Sequence, residues 1–449
     1  MAISWLQLLM VGLLVAGAVL GWPALSLLAA GLAVLACVLQ WRQLIRLARV
    51  FFVLAALAAL LVALYRPGQW PALLAALQQG AAFAALMMVL GMLRHPVRRS
   101  PFVREAAQYL LVYPPRSRYA AANVGAHFLS LLFNVGVIAM IGDLTHAKEG
   151  QRDAASSAMV VAAMRGAALV SIWSPIGLGF AIVTAGIPAL DPLQFLLAAL
   201  GFTLLALLVT ALWPMLPLAA QVHTDELPPA IRPPVAPLLG TLAICVLLLV
   251  IVLATHFVLA ISFTLASVAV VPLLAVAWLL LEGGAERRDV KADLRNTLDG
   301  LSSLRSESAI FLAANVIGSG LSILVQALPF WHGLAGDAFP VLPVLLLCLA
   351  AIPLIAASYI PNSIVVVMAA QLLGNSPLGL HYPLALGLTL AIAWGVAISV
   401  SPISAMCLIT AQLCGTSSRT AALVWNRPFA LVLLALAAVP ISLLVLAGH

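Results

Sequence analysis

Charge is what this sequence has least of: 8% of its residues are Asp, Glu, Lys or Arg, against 64% that are hydrophobic. A soluble globule carries about 25% charged residues, so that class is excluded. No polar stretch is long enough to hold a separate core outside a bilayer, and the mean hydropathy is +1.17. Cysteines are few, and Cys37, Cys245, Cys348, Cys407 and Cys414 all fall in apolar runs. There they read as small buried hydrophobes, not as disulfide or metal partners. The sequence also lacks a phosphate-cradling glycine loop, a zinc-ligand cluster and a nucleophile with its base. Neither ATP-driven pumping nor hydrolysis therefore has a motif behind it, and an enzyme is not expected. No basic domain stands apart, which argues against nucleic acid as a partner.

What is present is apolar chain in span-sized lengths. A crossing needs about 20 apolar residues, and segments of that kind lie near 4–20, 24–41, 47–65, 70–93, 158–188, 192–220, 237–256, 258–281, 305–328, 380–412 and 428–447. The first has no basic residue before it and no small-residue cleavage site after it, and reads as a retained helix. Two further stretches, 119–142 and 339–373, are broken by polar residues near their middles and fit re-entrant hairpins. The expected fold is all-α and polytopic, with about 11 transmembrane helices and two hairpins. Basic residues test the layout, since Lys and Arg gather on the cytoplasmic side. With the N-terminus inside, only Arg66 of the 21 basic residues falls outside, and Arg165 alone lies in the interior of a span, away from its ends. The expected location is a bacterial inner membrane, and the net charge of +7 adds an attraction for anionic lipid headgroups.

The chain repeats itself. Ser130, Asn134, Val137 and Met140 match Ser358, Asn362, Val365 and Met368 at a constant offset of 228. Ser174-Pro175-Ile176 begins 40 residues after Asn134, and Ser401-Pro402-Ile403 begins 39 after Asn362. This divides the chain into repeats 1–222 and 223–449, meeting in the proline-rich loop His223 to Pro234. From the start of the span at 70–93 to the start of its counterpart at 305–328 the layout crosses the membrane five times, and an odd number inverts the second copy. Inverted repeats with broken elements at matching positions are the layout of alternating-access carriers, with the site near the midplane.

The residue chemistry suits a binding site. Pro175 and Pro402 have no backbone N–H, so each span at 158–188 and 380–412 carries freed carbonyls near Ser174 and Ser401 that can ligate a cation. At the hairpin tips Asn134 and Asn362 offer amides, and helix arms meeting there would aim N-terminal N–H groups at one spot, favouring an anion. The central thirds of the spans hold no carboxylate. Asp143, nine residues past Asn134, stands about 13 Å further along a helix, which disfavours a carboxylate-driven antiporter. His127 is the best proton-carrier candidate, with a packing histidine as the alternative. Arg165 has two readings, a gate that draws an anion inward and a side chain that snorkels to the cytoplasmic interface.

On these motifs the sequence resembles the ion transporter superfamily, which includes the divalent-anion/sodium symporters and the arsenite and sodium–proton antiporters. The resemblance implies eleven spans and two hairpins, with Arg94–Arg118 as an inner arm and Pro329–Pro340 as an outer one. In the symporter branch each tip reads Ser-Asn-Thr; here the matching triplets are Phe133-Asn134-Val135 and Pro361-Asn362-Ser363. Both Asn residues survive, but Phe133 and Val135 supply no side-chain oxygen, and Ser130 is the nearest substitute. The resemblance further implies that Ser174 and Ser401 complete the sites, that Na+ or H+ is the coupling ion, and that the carrier is a homodimer. The expected substrate/ion-binding set is Ser130, Asn134, Ser174, Pro175, Ser358, Asn362, Ser363, Ser401 and Pro402, with no metal beyond sodium. The expected function is secondary transport of a small polar or anionic solute. A membrane-embedded enzyme on a lipid-linked substrate and a channel or scaffold subunit are the alternatives.

Overall fold

The computed structural model describes residues 2–111, 113, 115–146, 154–216, 234–281, 290–329, 331 and 340–448. The expected inter-repeat loop, save Pro234, and most of the outer arm lie outside these residues. Among the described residues ten helices are long and apolar enough to cross a membrane, so the chain is a multi-pass membrane protein. The eleventh expected span, 24–41, is the helix Pro23–Leu39, whose 17 residues reach about 26 Å, at the short end for a crossing.

The chain divides into two compact units, and each takes segments from both sequence repeats. Unit 1 comprises Met1–Ser100, Leu247–Phe339 and Ser363–Pro377. Its helices are α1 (Ala2–Leu20), α2 (Pro23–Leu39), α3 (Arg46–Tyr65), α4 (Trp70–Arg99), the later part of α11 (Ala236–Leu259), α12 (Phe263–Leu281), α13 (Val290–Asp299), α14 (Arg305–Gln326) and most of α16 (Asn362–Gly374). Small residues let α3, α4 and α14 pack closely, the expected device where lipid removes the hydrophobic drive between helices. Phe51, Ala55 and Val62 of α3 join Leu73 of α4 and Ala313, Val316 and Ile317 of α14 in one core. At one end Asp293 of α13, itself buried, pairs with Arg99 of α4 and meets His95 Nε2 of the same helix at 3.2 Å.

Unit 2 comprises Pro101–Val246, Pro340–Asn362 and Leu378–His449. It holds α5 (Pro101–Leu111), α6 (Pro115–Phe133), α7 (Gly136–His146), α8 (Ala154–Trp173), α9 (Leu178–Gly186), α10 (Pro192–Leu212), the start of α11, α15 (Val341–Ala357), most of α17 (Pro377–His381), α18 (Pro383–Val400), α19 (Ala405–Cys414) and α20 (Arg427–Leu446). In an apolar 18-residue stretch of the span formed by α8 and α9, and likewise of the span formed by α18 and α19, 89% of residues are buried, against 17% in α11. The two broken spans are therefore the centre of unit 2, and α11 is a largely exposed helix. Asp191 starts α10 sharply: its carboxylate accepts the Leu193 and Gln194 amides at 2.9 and 2.8 Å.

Candidate functional site

The expected breaks are present as helix–gap–helix elements. In the first, α8 stops at Trp173 and α9 begins at Leu178. Pro175 has no N–H to extend the ladder, and the turn closes instead by a Gly177 amide to Ser174 carbonyl bond of 2.8 Å. In the second, α18 stops at Val400 and α19 begins at Ala405, with the Ser404 amide on the Ser401 carbonyl at 3.1 Å. Ser404 also caps α19, its Oγ accepting the Cys407 amide at 3.2 Å. Each gap thus joins a helix C-terminus, whose last carbonyls have no partner within their own helix, to a helix N-terminus, whose first N–H groups have none within theirs.

The hairpins are built the same way but not with the same tips. In the first, α6 ends at Phe133 and Asn134 turns the chain with φ +52°. Its amide reaches back to the Ser130 carbonyl at 2.8 Å, a left-handed helix cap in which Asn is among the few tolerated side chains. In the second, the left-handed residue is Tyr359, φ +66°, and the gap runs from Ser358 to Pro361 before Asn362 opens α16. Asn134 and Asn362, in register by sequence, hold different backbone posts. Only the second arm of each hairpin aims an N-terminus at its tip; the first arms bring C-terminal carbonyls, so each tip offers both signs of helix dipole.

Within unit 2 the elements pair symmetrically. Both arms of hairpin one, α6 and α7, lie on α8; the first arm of hairpin two, α15, lies on α18; and α18 packs on α8 and α9. Gly166 of α8 admits the close approach of α6, since any Cβ there would overlap the Asn123 carbonyl oxygen. Asn123 Nδ2 donates to the Ala162 carbonyl at 3.1 Å, and Thr210 of α10 donates to Asn123 Oδ1 at 3.2 Å.

His127 is buried and stacked on Trp173, ring centroids 6.0 Å apart. The Trp173 indole N–H can only donate and meets His127 Nε2 at 3.2 Å, so Nε2 carries the lone pair. The Gly166 carbonyl can only accept and meets Nδ1 at 3.1 Å, so the imidazole is neutral with its proton on Nδ1.

Arg165 does not snorkel; it is completely buried. Its Nε donates to Asn426 Oδ1 at 2.9 Å, its Nη1 to the Tyr119 hydroxyl at 2.9 Å and to the Pro214 carbonyl, and its Nη2 to the Trp425 carbonyl at 2.7 Å. The guanidinium lies over the Phe429 ring, 5.0 Å from its centroid. Every partner is neutral, and no carboxylate pairs with Arg165 among the described residues. Asn426 relays this clamp to the second break: its Nδ2 donates to the Ser399 carbonyl at 3.2 Å, one of the orphan carbonyls at the end of α18. Tyr119, Asn123 and Asn426 were not singled out by motif; their signal is a polar side chain inside an apolar run.

Of the expected site residues, Ser130, Ser174, Pro175, Ser401 and Pro402 are buried in unit 2, Asn134 and Asn362 are half-buried there, and Ser358 is exposed. Ser363 is buried in unit 1. Ser130 spends its hydroxyl on its own helix, donating to the Ala126 and His127 carbonyls at 2.5 and 3.1 Å. Ser358 likewise donates to Leu354, at 3.1 Å. The side chains of Asn134, Ser174, Asn362 and Ser401 make no hydrogen bonds to one another among the described residues. Two of them hold buried polar atoms with no partner at all, Ser174 Oγ and Asn362 Nδ2.

No protein-family profile and no curated protein matches this sequence. One solved structure, titled as the crystal structure of the Alcanivorax borkumensis YdaH transporter with an unusual topology, aligns over 82% of this chain and 85% of that one. The TM-score is 0.51 at 15% identity, a likeness of fold. The chain therefore has the fold of a polytopic membrane transporter.

Proposed function

We propose that this protein is a secondary active transporter of the ion transporter superfamily type, moving a small carboxylate or oxyanion across a bacterial inner membrane by alternating access. The observation that carries the reading is the pair of buried, partnerless polar atoms, Ser174 Oγ and Asn362 Nδ2, on a broken span and a hairpin tip. In a bilayer interior such atoms cost free energy that a bound solute would recover. An anion is favoured because unit 2 buries Arg165 among neutral partners. Nine residues separate Arg165 from Ser174, about 13 Å of helix, at which a unit charge is worth about 1 kcal/mol to an anion at an effective dielectric near 20. Freed carbonyls at the breaks suit a coupling Na+; H+ is the alternative coupling ion. The same reading includes a homodimer with a cytoplasmic N-terminus.

Reconstitution into liposomes with a panel of labelled carboxylates and oxyanions tests it. Saturable uptake with counterflow is expected for at least one solute. Flux that rises linearly with concentration, or no flux across the panel, contradicts a carrier.

A further inference from the structure

Unit 1 contains a second polar cluster, on residues that no sequence motif marked. Gln79 of α4, Asn315 of α14 and Gln371 of α16 meet through their carboxamides. Asn315 Nδ2 donates to the Ala76 carbonyl at 2.6 Å and to Gln79 Oε1 at 3.3 Å, and Gln371 Nε2 donates to the same oxygen at 3.1 Å. The Ala76 carbonyl can only accept, which fixes the atom facing it as Asn315 Nδ2. That in turn fixes Gln79 Oε1 as the shared acceptor and Gln371 Nε2 as a donor. Asn315 Oδ1 and Gln371 Oε1 are thereby turned away, and neither accepts a hydrogen bond among the described residues. Gly80 makes the approach possible, since a Cβ there would stand 2.9 Å from the Leu312 carbonyl oxygen of α14.

One turn beyond Asn315, on the same face of α14, stands Ser319. It is 4% exposed, its Oγ is buried, and it has no hydrogen-bond partner. A helix serine ordinarily donates to the carbonyl one turn back, as Ser358 does. Ser319 leaves that bond unmade, so its hydroxyl is free for a ligand that the protein does not supply.

We infer that Asn315 Oδ1, Gln371 Oε1 and Ser319 Oγ are ligands of a monovalent cation such as Na+. All three are neutral, hard oxygens. Calcium and magnesium sites recruit carboxylates, and this cluster has none; no group of His, Cys, Asp or Glu able to hold a metal ion occurs among the described residues. Three neutral oxygens completed by water match a singly charged cation, whose desolvation is cheaper than that of a divalent one. The site joins α4, α14 and α16, so its occupancy would fasten the second arm of hairpin two to the unit 1 helices. The inference stands apart from the transport reading and holds even if the chain moves no solute.

Thermal melting of the purified full-length protein in detergent tests it, in NaCl against choline chloride at equal ionic strength. Sodium should raise the melting temperature, saturably. Ser319→Ala removes a hydroxyl that bonds nothing in the protein, so melting in choline should be unchanged or slightly higher. The sodium concentration giving half the shift should meanwhile rise about ten-fold or more. Ser319→Thr, which restores an Oγ, should recover the wild-type midpoint. Gln371→Met is the second variant and should show the same weakening. Equal melting of the wild type in the two salts overturns the site, and so does a sodium midpoint that either Ser319→Ala or Gln371→Met leaves unmoved. A sodium response that Asn134→Ala abolishes and Ser319→Ala spares moves the cation to hairpin one, which overturns this site and leaves the transport reading intact.

Discussion

Hairpin one is bolted to its broken span; hairpin two is not. Along α6, Tyr119, Asn123 and His127 each bond to α8, through Arg165, the Ala162 carbonyl and the Gly166 carbonyl, and Trp173 of α8 bonds back. The corresponding contact of hairpin two, α15 on α18, is apolar, with Leu345, Leu349 and Ile352 buried and no side-chain hydrogen bond across it among the described residues. Both arms of hairpin one belong to unit 2, whereas α15 belongs to unit 2 and α16 from Ser363 onward to unit 1. A polar interface in a low-dielectric interior is directional and costly to open; an apolar one slides. The first arm of hairpin one, α6, is thus fixed to its broken span by directional polar bonds, whereas the first arm of hairpin two, α15, is free of them, and among the described residues that hairpin is held by polar side-chain bonds only through Gln371 of α16.

The sharpest way to break this contrast is to cut the clamp. Arg165→Met leaves the Asn426 carboxamide oxygen, the Tyr119 hydroxyl and two carbonyls without their donor, and the expected loss is about 3–5 kcal/mol, read as lower yield and an earlier melt. Ser358→Ala, at the tip of hairpin two, should stay within about 0.5 kcal/mol of wild type. If the two variants melt alike, hairpin one is not held as described.

A smaller effect follows from His127→Phe. The ring keeps its place on Trp173 but strands the indole N–H and the Gly166 carbonyl, at an expected cost of about 1–3 kcal/mol by melting. The tips separate further by backbone. Asn134→Ala should cost about 1–2 kcal/mol because Ala resists the left-handed post, and Asn134→Gly should restore it. Asn362→Ala, outside that conformation, should leave the melting temperature unchanged. The smallest signal is dynamic. Amide hydrogen exchange should be faster along α15 than along α6, and equal protection in the two would remove the distinction between fixed and free.

Much of this arrangement was legible before the fold was known. Ser-Pro pairs that stop a helix act locally, and the gaps at 174–177 and 401–404 fall where those pairs stand. The hairpin breaks were likewise marked by polar residues in apolar runs. What sequence could not carry is anything made by distant partners. Arg165 finds its acceptors at Tyr119, Pro214, Trp425 and Asn426, and only the packed helices show that it is clamped and not snorkelling. The register of Asn134 with Asn362 concealed a backbone difference, because the left-handed residue of the second tip, Tyr359, is a type that rarely takes that conformation. The Gln79, Asn315 and Gln371 cluster was missed for the same reason as Asn426: single amides in apolar helices carry no spacing signal.

The account rests on Ser174 Oγ and Asn362 Nδ2 waiting for a solute, and counterflow in liposomes with a transported anion measures that directly. Ser174→Ala and Asn362→Ala should each raise the half-saturating concentration about ten-fold, the loss of one hydrogen bond to a charged ligand, while both proteins melt at the wild-type temperature. Unaltered half-saturation in both variants, with transport intact, would show that these atoms do not touch the solute.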